Sequence, residues 1–124
     1  MERVVGIGGI FFKARDPRAL AAWYRDHLGV PIERDKTYAT FTAGEAEQTE
    51  WSAFPDDTTY FAPSAAPFMV NYRVADLDRM LAQLRAAGAA VDDRVEEHEF
   101  GRFGWASDPE GNRFELWEPA GPGS

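Results

Sequence analysis

The stretch Trp105 to Pro119, WASDPEGNRFELWEP, decides how the chain is read. At its centre Asp108-Pro109-Glu110-Gly111 has the composition of a type I turn: Asp first, proline with its φ preset second, glycine fourth. Asn112 to Glu118 then reads as a strand that Pro119 ends. Side chains alternate across a strand, so Phe114 and Leu116 share one face while Arg113, Glu115 and Trp117 share the other. Glu115 thus stands between an arginine and a tryptophan, on a face that is neither plain core nor plain surface. The rest of the chain is read by asking what faces it.

Working outward, Phe103 to Ala106 and Val91 to Phe100 are strand candidates. Before them Asp76 caps a helix with the apolar stripe Leu77, Met80, Leu81 and Leu84, ended by Gly88. Phe68 to Val74 is a strand with Val70, Tyr72 and Val74 on one face and Met69, Asn71 and Arg73 on the other. The same order occurs earlier. Val4 to Ala14 is a strand, Asp16-Pro17 opens a helix with Leu20, Trp23, Tyr24 and Leu28 in register, and Gly29 stops it. Short strands follow at Val30 to Glu33, Tyr38 to Thr42 and Glu50 to Phe54. The expected fold is therefore α+β, with β-α-β-β-β occurring twice. Aligning Asp16 with Asp76 puts Arg25 on Arg85, brings Gly29 to Gly88 with one residue dropped, and sets Trp51 on Trp117. Module one spans 1–58, a connection 59–67, and module two 68–119, with 120–124 as a flexible tail.

Composition narrows the function. The chain has no cysteine, which excludes disulfides, thiolate metal sites and cysteine nucleophiles. A net charge of −8 argues against nucleic acid, whose phosphates need a concentrated basic surface. Neither a leader nor an apolar run of about 20 residues occurs, so a cytoplasmic protein without a membrane partner is expected. The GIGG of Gly6 to Gly9 is no phosphate loop, because no helix with a following Lys-Ser/Thr succeeds it.

Three segments, FFKARDPRALAAWYRDHLGV (Phe11 to Val30), NYRVADLDRMLAQLRAAG (Asn71 to Gly88) and DPEGNRFELWEP (Asp108 to Pro119), resemble the vicinal oxygen chelate superfamily. That group includes glyoxalase I, bleomycin-resistance proteins and extradiol dioxygenases. The resemblance implies two tandem modules forming a curved mixed sheet around a cleft, and a homodimer. In metal-dependent members four positions on the first and last strands of each module hold a divalent ion. Carried onto this chain, those positions are Gly9, Thr49, Met69 and Glu115, of which only Glu115 suits a hard cation. The resemblance thus implies no metal cofactor here. One register question stays open, since a slip of one residue between Trp51 and Trp117 would turn Glu50 inward in place of Thr49.

Alternation supplies a list of cleft candidates that does not depend on the family. They are Phe11, Trp51, Met69, Asn71, Arg73, Glu115 and Trp117, a mixed aromatic and polar face of the kind that binds small molecules. Trp51, Trp117 and Phe11 would stack a flat ligand while Glu115 and Asn71 orient it. The structural counterpart is a filled core with Glu115 ion-paired to Arg113, Arg73 or Lys13. The leading expectation is metal-independent small-molecule binding. The alternative is a lyase, isomerase or dioxygenase in which Glu115 is catalytic, as an acid or base or as part of a divalent-metal site.

Overall fold

The computed structural model describes residues 1–44 and 47–121; of the tail expected at 120–124, residues 122–124 lie outside the described residues, while Ala120 N donates to Phe100 O at 3.1 Å. Its elements are β1 (Val4–Ala14), α1 (Pro17–Leu28), β2 (Tyr38–Gly44), β3 (Glu47–Pro55), β4 (Phe68–Val74), α2 (Leu77–Ala86), β5 (Ala90–Val91), β6 (Glu96–His98), β7 (Gly101–Ser107) and β8 (Arg113–Pro119). The strands form one curved sheet in the order β2-β3-β1-β4-β8-β7-β5, with β6 on β7. Antiparallel β1 and β4 make the central seam, and each carries a parallel neighbour, β3 on β1 and β8 on β4. Among the described residues no helix is long and apolar enough to cross a membrane.

Both helices start where their caps dictate. The Asp16 carboxylate accepts from Ala19 N at 3.1 Å and that of Asp76 from Arg79 N at 3.0 Å, satisfying amides that a first helical turn leaves free. Gly29 ends α1 in the left-handed region at φ 68°, where a side chain would be strained. The helices cover one face of the sheet. Ala21 of α1 packs with Ile32, Ala39, Trp51 and Ala53, and Leu77, Met80 and Leu81 of α2 pack with Val74 and Leu116.

Two expectations about module one are corrected. Val30–Glu33 is not a strand: Pro31 lacks a donor, Ile32 N bonds back to Val30 O at 2.7 Å, and Val30 and Ile32 serve as core side chains instead. The superposition of Trp51 on Trp117 is one residue out. Trp51 pairs with Ile10 and packs on Phe12 and Tyr24 beneath α1, so it faces the helix and not the cleft. By register its counterpart is Leu116, which does the same under α2. In module two the expected strand Val91–Phe100 divides into β5 and β6, separated by a turn in which Asp92 accepts from Arg94 N.

On the other face the connection between modules folds back. Phe61 from the connection joins Phe11, Met69 and Trp105 in a third cluster that closes one end of the concave side. The glycines at the start of β1 make room for side chains from β4. An ideal Cβ on Gly8 would lie 2.1 Å from Asn71 Oδ1 and 2.9 Å from the Trp117 ring. We therefore expect Gly8→Ala to lower unfolding free energy by about 1–3 kcal/mol in urea denaturation, the usual cost of overpacking. An unchanged denaturation midpoint would show that Asn71 and Trp117 are not held against β1 as described.

Candidate functional site

Strand register places one line of side chains across the concave face. Thr40 is level with Glu50, Glu50 with Gly9, Gly9 with Asn71, Asn71 with Glu115, and Glu115 with Trp105. Residues level with one another on paired strands project to the same face. Hence Glu50, not Thr49, is the module-one position equivalent to Glu115. Thr49 instead sends its hydroxyl to Ile7 O at 3.2 Å.

Glu115 is buried, 2% exposed, and its oxygens are occupied by donors. Asn71 Nδ2 donates to Oε1 at 2.5 Å, Trp105 Nε1 donates to Oε2 at 2.9 Å, and the Tyr60 hydroxyl donates to Oε2 as well. The three donors come from β4, from β7 and from the connection, so this one carboxylate ties three separate elements together. No described residue forms an ion pair with it. Arg113, its neighbour on β8, turns to Asp92 at 3.3 Å. Burial pushes the Glu115 carboxyl above the ordinary range, and the bonds from Tyr60, Asn71 and Trp105 together with the Arg113 charge pull only part of the way back. Burial, followed by the adjacent Glu115, likewise holds the Tyr60 hydroxyl protonated well beyond the ordinary tyrosine range.

Beside this line opens a cleft of about 780 Å³. Of the residues expected from sequence, Phe11, Asn71, Glu115 and Trp117 line it. Three do not. Trp51 is on the helix side; Met69 is fully buried in the cluster under Phe61; and Arg73, on the correct face, spends Nη1 on Ile7 O at 2.7 Å and Gln48 O at 2.6 Å. Arg73 thus bridges β1 and β3 at residues that precede their first paired positions, Gly9 and Glu50. The lining residues that sequence reasoning missed are chiefly Phe54, Tyr60 and Phe103, with Glu50 left undecided. Their rings form two parallel pairs, Phe54 on Tyr60 at 5.4 Å and 8°, and Phe103 on Trp117 at 6.1 Å and 1°. In β3 a signal was present: Gln48, Glu50 and Ser52 alternate with Trp51 and Ala53, and only the latter pair is fit for a core. Tyr60 lies outside any periodic element and gives no such signal.

Whether a divalent ion suits this site is a question of its donor set. The four level positions are Gly9, Glu50, Asn71 and Glu115, and among the described residues no group of three His, Cys, Asp or Glu could hold a metal. Glu115 moreover meets N–H and O–H groups on both oxygens, whose positive ends occupy the space a cation would need. The residues present do not fit a metal centre.

Two β-α-β-β-β-like modules around one concave face, with level carboxylates on β3 and β8, define a glyoxalase/bleomycin-resistance/dioxygenase type of fold. Residues 9–117 match the family described as glyoxalase-like domain, and the chain belongs to that family. Methylmalonyl-CoA epimerase from Mycobacterium tuberculosis is 24% identical, with TM-score 0.65 over 95% of this chain and 90% of that one. The Streptomyces coelicolor methylmalonyl-CoA epimerase is 17% identical, with TM-score 0.73 over 96% of this chain and all (100%) of that one. A Vibrio splendidus 12B01 member of the glyoxalase/bleomycin resistance protein/dioxygenase superfamily is 17% identical, with TM-score 0.56 over 95% and 99%. At these identities the likeness concerns the fold. Comparison with curated protein sequences gives no match.

The raised Glu115 carboxyl makes a prediction about stability. A group whose folded pKa exceeds its unfolded value contributes stability that is full below the unfolded value and is lost as pH rises through the folded one. From the ordinary glutamate value of 4.5 upward, the wild-type chain should therefore lose unfolding free energy relative to Glu115→Gln until the folded carboxyl has ionised. Tyr60→Phe removes one donor and should move that loss to still higher pH. Denaturation curves across pH for the three proteins check this; a constant difference between wild type and Glu115→Gln would contradict it.

Proposed function

We propose that this chain binds a flat organic molecule in its concave cleft without a metal ion. The observation that carries the reading is the pairing of an open, aromatic-walled cleft with a Glu115 whose oxygens are occupied by protein donors. Aromatic walls take up a planar ligand by offset or edge contact, and the polar floor sets its orientation. Glu115 acts by fixing Tyr60 and Asn71, and Asn71 in turn fills the space over Gly8. The protein is proposed to act in the cytoplasm and as a homodimer, which sedimentation equilibrium would contradict by giving a single chain of 13.9 kDa.

Calorimetric titration with a panel of planar aromatic compounds, in the presence of a chelator, tests the main claim. Binding should survive the chelator and fall by about two- to twelvefold in Phe103→Ala, equivalent to roughly 0.5–1.5 kcal/mol for one aromatic contact. Binding that disappears with the chelator, or a panel without a single binder, would contradict the proposal.

One observation favours a second reading, that of an enzyme. Glu50 and Glu115 stand level with one another across Gly9 and Asn71 on the floor of the cleft, two acids in a position suited to moving a proton from one side of a substrate to the other. The epimerases of similar fold are named for methylmalonyl-CoA, so that thioester is the first substrate to try. Deuterium uptake at its acidic carbon, lost in Glu50→Gln, would support an isomerase. Absence of uptake at high protein concentration would remove methylmalonyl-CoA from consideration. The lining carries no cation among the described residues, which weighs against an anionic substrate.

A further inference from the structure

We infer that the ligand of the cleft is an organic cation, and that Glu50 is its counter-ion. This rests on the cleft being a binding site, as proposed above, and goes further in naming the charge of its occupant. The argument begins with what lines the cavity. Aromatic rings from separate elements surround it: Phe11 of β1, Phe54 of β3, Tyr60 of the connection, Phe103 of β7 and Trp117 of β8. The faces of aromatic rings carry negative potential and attract ammonium groups, most strongly where water is displaced.

The charged groups point the same way. Among the described lining residues the ionisable acids are Glu50 and Glu115, and no lysine, arginine or histidine is present. Glu115 has its oxygens taken up by Tyr60, Asn71 and Trp105. Glu50 is different. Thr40 Oγ1 donates to its Oε1 at 2.5 Å, which fixes the carboxylate, while no described residue donates to its other oxygen. Of the basic side chains in adjoining elements, Arg73 bonds backbone carbonyls of β1 and β3 and Lys13 stands over Phe61 at 5.5 Å, while Lys36 stands over the ring of the lining residue Tyr38 at 6.0 Å without itself lining the cleft. A carboxylate with a free oxygen on the floor of an aromatic enclosure is the arrangement that recognises an alkylated or aryl ammonium. A carboxylate- or phosphate-bearing ligand would meet two acids and no cationic side chain among the described lining residues, with only neutral donors such as Gln48 and Ser52 to receive it. The net charge of −8 adds a weaker, salt-screened attraction of the same sign.

Three probes of nearly one shape separate charge from bulk: benzyltrimethylammonium, its neutral isostere neopentylbenzene, and benzylphosphonate. Each is titrated into 15N-labelled protein while the Trp117 indole N–H, which donates to Phe100 O at 2.9 Å on the cleft rim, is followed. The cation should bind about tenfold or more tightly than the neutral isostere, and the phosphonate should not bind. Glu50→Gln should reduce the preference for the cation over neopentylbenzene to near parity. Glu110→Gln, which removes one charge from the exposed β7–β8 turn, should leave the preference intact. Equal affinity for cation and isostere, binding of the phosphonate, or an unaltered preference in Glu50→Gln would overturn this inference and leave the cleft standing as a binding site. Failure of all three probes to shift Trp117 would overturn both.

Discussion

A buried carboxylate without a paired cation is costly unless its oxygens are hydrogen-bonded, and that requirement organises the centre of this molecule. Glu115 meets it by drawing donors from β4, from β7 and from the connection between modules. Remove the donors and burial of the carboxylate becomes unfavourable; remove the carboxylate and the Tyr60 hydroxyl loses its partner. Because Tyr60 carries Phe54 with it in a parallel stack, the same hydrogen bond shapes one wall of the cleft. The hydrophobic cluster of Phe11, Phe61, Met69 and Trp105 lies next to it on the sheet's concave side.

The second constraint is register. With a side-chain period of two, a slip of one residue exchanges the faces of an entire strand. In β3 the choice is made by Trp51 and Ala53, whose apolar surface is buried with Ala39 against Ala21 of α1. That burial turns Glu50 into the cleft. The relation of Glu50 to Glu115 across the Gly9–Asn71 seam is thus a by-product of how a tryptophan packs on a helix. It also gives the concave face its acidic character, since the arginines on that face are engaged, Arg73 by backbone carbonyls and Arg113 by Asp92.

Much of this was legible in the sequence. The turn at Asp108–Gly111, the caps at Asp16 and Asp76, and the strands Val4–Ala14 and Phe68–Val74 rest on local chemistry, which no distant contact overrides. The cleft-facing placement of Asn71, Glu115 and Trp117 followed from alternation within strands whose register was clear. Trp51 was misplaced because its partner was chosen by residue type, and two tryptophans in equivalent strands need not share a face. Met69 and Arg73 were on the face expected but not at the surface of the cavity. Their burial depends on Phe61 and on the carbonyls of Ile7 and Gln48, distant in sequence and without a local pattern. Tyr60 belongs with these, since it is placed by the Glu115 carboxylate and by the rings of Phe54, Phe61 and Trp105 and not by any periodic pattern.

The claim on which the account turns is that Glu115 serves protein donors and is closed to metal. The most direct measurement is the metal content of purified, untagged protein by elemental analysis, with calorimetric titration of Mn, Fe(II), Ni and Zn. The account predicts no stoichiometric metal and no tight binding by any of the four. One equivalent of tightly held metal, lost on substitution of Glu115, would contradict it and would require Tyr60, Asn71 and Trp105 to give way around the ion.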